Sequence, residues 1–126
     1  MSTLRSHTWS CLACLSVLAA ACVGPPQSPP RVSEGDAIRG RTVLQRYDCG
    51  VCHVIPGIRG ARGYVGPPLG AYARNVYVAG KYPNTPDVLV RWIMNAPALA
   101  PRTAMPALGV SEAEARDMAA YLYTLR

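Results

Sequence analysis

The 126-residue chain has no phenylalanine, only two histidines and seven acidic residues. No stretch alternates apolar and polar residues as a half-buried strand does, so a sheet protein is not expected. The longest uncharged apolar run, WSCLACLSVLAAA at 9–21, has 13 residues. A helix that spans a bilayer takes ~20. Basic residues outnumber acidic ones and give a net charge of +6, but they are scattered and no nucleic-acid motif accompanies them. That balance suits acidic partners or anionic surfaces and argues against a nucleic-acid partner. The length allows one domain rather than two.

The beginning reads as an export signal. MSTLRSHT carries Arg5 and no acid, the apolar run follows, and Ala19, Ala20 and Ala21 precede Cys22. A basic start, an apolar stretch and small residues before a cut site describe a secretory leader over residues 1–21. The end of that leader resembles the lipobox of bacterial lipoproteins. The resemblance implies cleavage just before Cys22, a lipid on that cysteine, and a protein held to the membrane in the periplasm. Ordinary cleavage after the alanines, leaving Cys22 free, is the competing expectation. Residues 22–32 are Pro-rich, without apolar periodicity, and read as an extended tether reaching roughly 30 Å. Residues 33–126 remain for a folded domain.

Within that domain, helical signals alternate with long Gly/Pro loops. Ser33 and Asp36 open a helix whose Gly40, Leu44 and Tyr47 share a face. Gly costs ~1 kcal/mol inside a helix, so Gly40 points to close approach by another helix. Residues 54–70 hold five Gly and three Pro and read as a loop. Ala71 to Val78 are expected to form one or two helical turns. Thr85-Pro86-Asp87 starts a helix with Leu89, Trp92 and Ile93 on its apolar face, and Pro97 is expected to end it. A second loop, APALAPRTAMPALG, follows. Ser111 and Glu114 then cap a final helix carrying Ala115, Met118, Ala119 and Leu122 at i, i+3, i+4, i+7. So few ordered residues bury too little of their own apolar surface, and something is needed to fill the middle.

The chemistry is concentrated in YDCGVCH, residues 47–53. Zinc needs four ligands, or three and a water, yet no Cys or His follows His53 and no carboxylate stands at metal-like spacing. A dithiol oxidoreductase places CxxC after a strand of a βαβ unit, and here it ends a helix. Covalent haem needs two thiols to add to its vinyl groups and an imidazole able to reach the iron, which CxxCH supplies. Cys49, Cys52 and His53 are therefore haem-binding candidates. Export fits that reading.

In this order, GRTVLQRYDCGVCH, GPPLG, LVRWIMNAP, PRTAMPALG and DMAAYLYTLR resemble the helices and loops of the class I, mitochondrial-like c-type cytochromes of bacteria. The resemblance covers residues 33–126. It implies an all-α cytochrome c fold of short helices and long Gly/Pro loops wrapped around one covalent haem c. It further implies that the first and last helices cross at Gly40 and Tyr121. Met105, in a loop bounded by Pro, would be the second axial ligand opposite His53, with Met118 as packing and Met94 inside a helix. Pro67 would accept the other N–H of His53, Trp92 would pack beside the haem, and Thr103 would lie near its edge. Arg59, Arg62 and Arg102 are candidates for the haem carboxylates. His–Met ligation closes the iron and suits a one-electron carrier rather than an enzyme. Its redox partner would be a terminal oxidase or a periplasmic dehydrogenase. A haem sensor or peroxidase-like protein with Met105 off the iron is the rival.

Overall fold

Asp36 sets the start of the first helix. Its carboxylate accepts from the backbone N–H of Ile38 at 2.8 Å and of Arg39 at 2.9 Å, a cap of the kind that satisfies two orphan donors. In this computed structural model, which describes residues 28 and 30–126, α1 therefore runs from Ala37 to Arg46. The expected start at Ser33 is corrected. Ser33 and Glu34 form a turn, with Glu34 at φ 63°, so the helix cannot extend back through them. The leader at 1–21 and Cys22 lie outside the described residues.

α2 spans Pro86–Leu99 and α3 spans Glu112–Leu122. Thr85 caps α2 through Val88 N, with Pro86 in the first turn as expected. Pro97 does not end it. Pro97 has no N–H for the Ile93 carbonyl, and its ring would clash there, so the chain breaks earlier, at Asn95 (φ −156°, ψ 78°). The Asn95 side chain then accepts from Ala98 N at 3.2 Å and caps a further short turn. α3 carries both halves of the capping box between Ser111 and Glu114.

α1 packs chiefly on α3, and α2 packs on α3 beside it. Val43 and Leu44, Leu89, Val90 and Ile93, and Ala115, Met118, Ala119 and Leu122 form the shared core. Asp117 is buried within α3 yet fully engaged. It accepts from Arg39 Nε and Nη2, both at 2.9 Å, and from Asp36 N at 2.7 Å. The Arg39 guanidinium holds its carboxyl below the usual range.

Between α1 and α2 the expectation of helical turns over Ala71–Val78 is also corrected. Only Tyr72–Arg74 form a single 3₁₀ turn. Tyr77–Val78 (β1) then pairs antiparallel with Tyr82–Pro83 (β2) across a tight turn in which Ala79 and Gly80 have positive φ. Two-residue strands leave no alternation to read in a sequence. The architecture is otherwise all-α.

Candidate functional site

The site begins where α1 stops. Tyr47 N still reaches Val43 O, Asp48 turns left-handed at φ 52°, and Cys49–Val51 form a 3₁₀ turn. His53 N donates to Cys49 O at 3.0 Å. Both thiols and the imidazole are thus carried on one turn fastened to the helix end.

The loop after it seats the imidazole. His53 Nδ1 lies 2.7 Å from Pro67 O. A carbonyl only accepts, so Nδ1 carries the proton and Nε2 keeps its lone pair free for a metal. Gly66 N donates to Cys52 O at 2.8 Å, bringing the backbone against the ring. A Cβ on Gly66 would stand 2.3 Å from His53 Cε1, so the ring's place requires glycine.

Cys49, Cys52, His53, Pro67, Trp92 and Met105 all line one cavity of about 800 Å³, together with Leu44, Leu69, Ile93, Met118 and Leu122. These six candidates from the sequence are brought together at this cavity. Thr103 lines it too, and its hydroxyl accepts from Met105 N at 3.2 Å, fixing the loop that carries the sulfur. Of the candidate arginines, Arg102 lines the cavity and Arg59 and Arg62 do not. Met94 is half-buried in α2 and does not line it, whereas Met118 is both core and cavity wall. Sequence reasoning missed Asn75, Tyr77 and Lys81, polar residues of the wall supplied by the unforeseen hairpin and the residues before it. Their one signal was polarity in the loop after GPPLG.

The donor set decides among the chemistries. Among the described residues no three His, Cys, Asp or Glu side chains gather to hold a bare metal ion. Burial pushes the Cys49 thiol up to about 11, the wrong direction for a redox-active dithiol, whose attacking thiol is depressed. Two thiols, an imidazole with a free nitrogen and a thioether around a large apolar cavity fit a haem. The cytochrome c family profile matches residues 37–126, well over half of the chain.

The chain belongs to the cytochrome c family. As such it carries covalent haem c and is a haem-based electron carrier. Among curated proteins, none is similar enough to count as a relative. The cavity is walled by α1, α2, α3 and the two loops, and its lining is far more apolar than polar, as a group with one polar edge requires.

Proposed function

We propose that this cytochrome is a periplasmic, membrane-tethered carrier that moves single electrons through a haem whose iron His53 and Met105 would hold. The observation that carries the reading is the His53 Nδ1–Pro67 O bond at 2.7 Å, in a cavity whose lining also includes Met105. The haem supplies a one-electron ferric–ferrous couple. Cys49 and Cys52 would hold it as thioethers. His53 would ligate the iron through Nε2, and Pro67 keeps its ring turned and its tautomer fixed. Met105 would supply a neutral sulfur to the iron, which favours the reduced metal and would leave no site for oxygen or substrate. Trp92, Leu44 and Leu69 line the cavity with apolar surface, which would shield the haem from water and lower the reorganisation that electron exchange requires.

The membrane attachment belongs to Cys22 in this reading. No helix among the described residues is long and apolar enough to cross a membrane, so a lipid on Cys22 and a Pro-rich tether would supply the anchor. A terminal oxidase is the proposed electron acceptor, by the resemblance of the ligand loops. Service as the cytochrome subunit of a periplasmic dehydrogenase is the alternative.

Carbon monoxide tests the closed site. The ferrous wild type is expected to bind it slowly or not at all. Met105→Ala keeps the haem attached, binds carbon monoxide quickly and has a lower potential. Met94→Leu and Met118→Leu leave the spectrum unchanged. Wild type that binds carbon monoxide as fast as Met105→Ala overturns the carrier reading. Fractionation tests the anchor: the wild type goes with membranes, and Cys22→Ser releases it.

A further inference from the structure

α2 is broken just before the chain joins the cavity wall. Asn95 leaves helical geometry and Pro97 removes a backbone bond, so the turn 96–99 is not a stiff continuation of the helix before it. Every residue from Leu99 to Pro106 lines the cavity. Yet none from 97 to 109 is buried by the rest of the chain, so packing holds this strip weakly. Its downstream end is fixed by Val110, which is buried, and by the Ser111 cap of α3. Its upstream end needs a tie of its own.

The hydrogen bonds identify that tie. Ala100 N donates to Ala96 O and Thr103 N to Ala100 O, both at 2.9 Å, and Met105 N donates to the Thr103 hydroxyl at 3.2 Å. All three are local. Among the described residues, the one hydrogen bond that joins residues 99–109 to another element comes from Tyr82, whose hydroxyl donates to Leu99 O at 2.5 Å. Leu99 O is a helix-end carbonyl, without a partner inside the helix.

Tyr82 reaches both sides of the break. It sits in β2, paired with Val78, and its ring lies tilted on that of Trp92, with centroids 6.3 Å apart. Trp92 precedes Asn95 in α2, and Leu99 follows it. The ring thus rests on the helix before the kink while the hydroxyl holds the turn after it. Tyr82 itself does not line the cavity, so any effect it has there passes through Leu99.

We propose that Tyr82 is a positioning residue for Met105, its hydroxyl fastening the start of the 99–106 strip so that the sulfur stays within reach of the iron. This rests on the reading of Met105 as an iron ligand. The linkage runs from Leu99 O through the Ala100–Thr103 turn and the Thr103 hydroxyl to Met105 N. Without the Tyr82 bond the strip would be fixed at its Val110 end alone. The sulfur would then be off the iron in a larger fraction of molecules.

Carbon monoxide binding to the ferrous, haem-loaded protein reads that fraction, since the observed rate scales with the share of molecules in the open state. Tyr82→Phe keeps the ring on Trp92 and removes only the donor. It is expected to bind carbon monoxide about tenfold faster than wild type, the effect of one lost hydrogen bond of ~1.4 kcal/mol. It should also lose the six-coordinate spectrum at a lower temperature. Tyr121→Phe is the control, because the Tyr121 hydroxyl likewise donates to a backbone carbonyl of another segment, Pro56 O at 2.7 Å. Its rate should stay within about twofold of wild type. In Met105→Ala there is no sulfur to hold, so adding Tyr82→Phe should leave its fast binding unchanged. A wild-type rate for Tyr82→Phe overturns the proposal. So does equal acceleration by Tyr121→Phe, which means general loosening, or further acceleration of Met105→Ala by Tyr82→Phe, which means a wider route for the gas. Wild type as fast as Met105→Ala fails the ligand reading and the proposal with it. Slow binding by both wild type and Tyr82→Phe, beside a fast Met105→Ala, fails the positioning role alone.

Discussion

Gly40 and Asp117 meet where α1 crosses α3, so closely that a Cβ on Gly40 would stand 1.8 Å from the Asp117 carbonyl oxygen. The neighbouring Arg39 grips the Asp117 carboxylate with two hydrogen bonds. One residue thus sets the distance of the crossing, and the next sets its register.

Gly40→Ala should therefore destabilise the protein although Ala is the better helix former. The gain in propensity is ~1 kcal/mol. The obstacle is backbone, which cannot swing aside as a side chain can, and separating the helices costs more. A net loss of at least about 2 kcal/mol is expected from guanidinium denaturation of the haem-loaded protein. Unchanged or raised stability would show that the crossing is looser than described.

Acid should loosen the same end of the molecule. Hydrogen bonds from Ser111, then the Tyr47 hydroxyl at 2.9 Å and the Arg46 guanidinium, hold the Glu114 carboxyl down at about 2, below the ~4.3 of an unfolded Glu. A depressed folded value means that the contribution is complete above the unfolded value and lost as pH falls towards the folded one. Stability should hold to about pH 4.3 and decline towards pH 2. Glu114→Gln should lower the thermal midpoint at neutral pH and flatten that acid limb. An acid limb identical to wild type refutes the assignment.

Gly66→Ala tests the seat of the imidazole. Its Cβ would overlap His53 Cε1, so the ring must leave the Pro67 carbonyl. Haem should stay attached through Cys49 and Cys52, while the visible spectrum loses its six-coordinate form. A wild-type spectrum from this variant would show that the loop yields instead.

What could be read from the sequence was what is written locally. Ser111 and Glu114 stand three apart and form the reciprocal cap that this spacing implies. Thr85-Pro86 opens α2 as such a pair does, and CxxCH keeps its chemistry together on one turn. Gly40, costly where it stands, pointed to the crossing. The misreadings arose where competition decides. Ser33 and Asp36 can both cap, and Asp36 prevails because Glu34 turns left-handed before it. Pro97 was read as a stop at its own position, but the strain falls upstream, at Asn95. The hairpin at 77–83 is too short to show a period. Arg39 and Asp117 are 78 positions apart, and nothing local in either marks the other as its partner.

Residues 30–32 with Tyr123, Thr124 and Arg126 supply much of one shallow cleft, with Gly35, Ala37 and Ala120 between them. None of its residues lines the haem cavity. The two ends of the folded part thus share a single point of exit. A label, a surface linkage or a fused domain at either end leaves the molecule from the same side, and a short peptide could join the two ends without passing over the cavity.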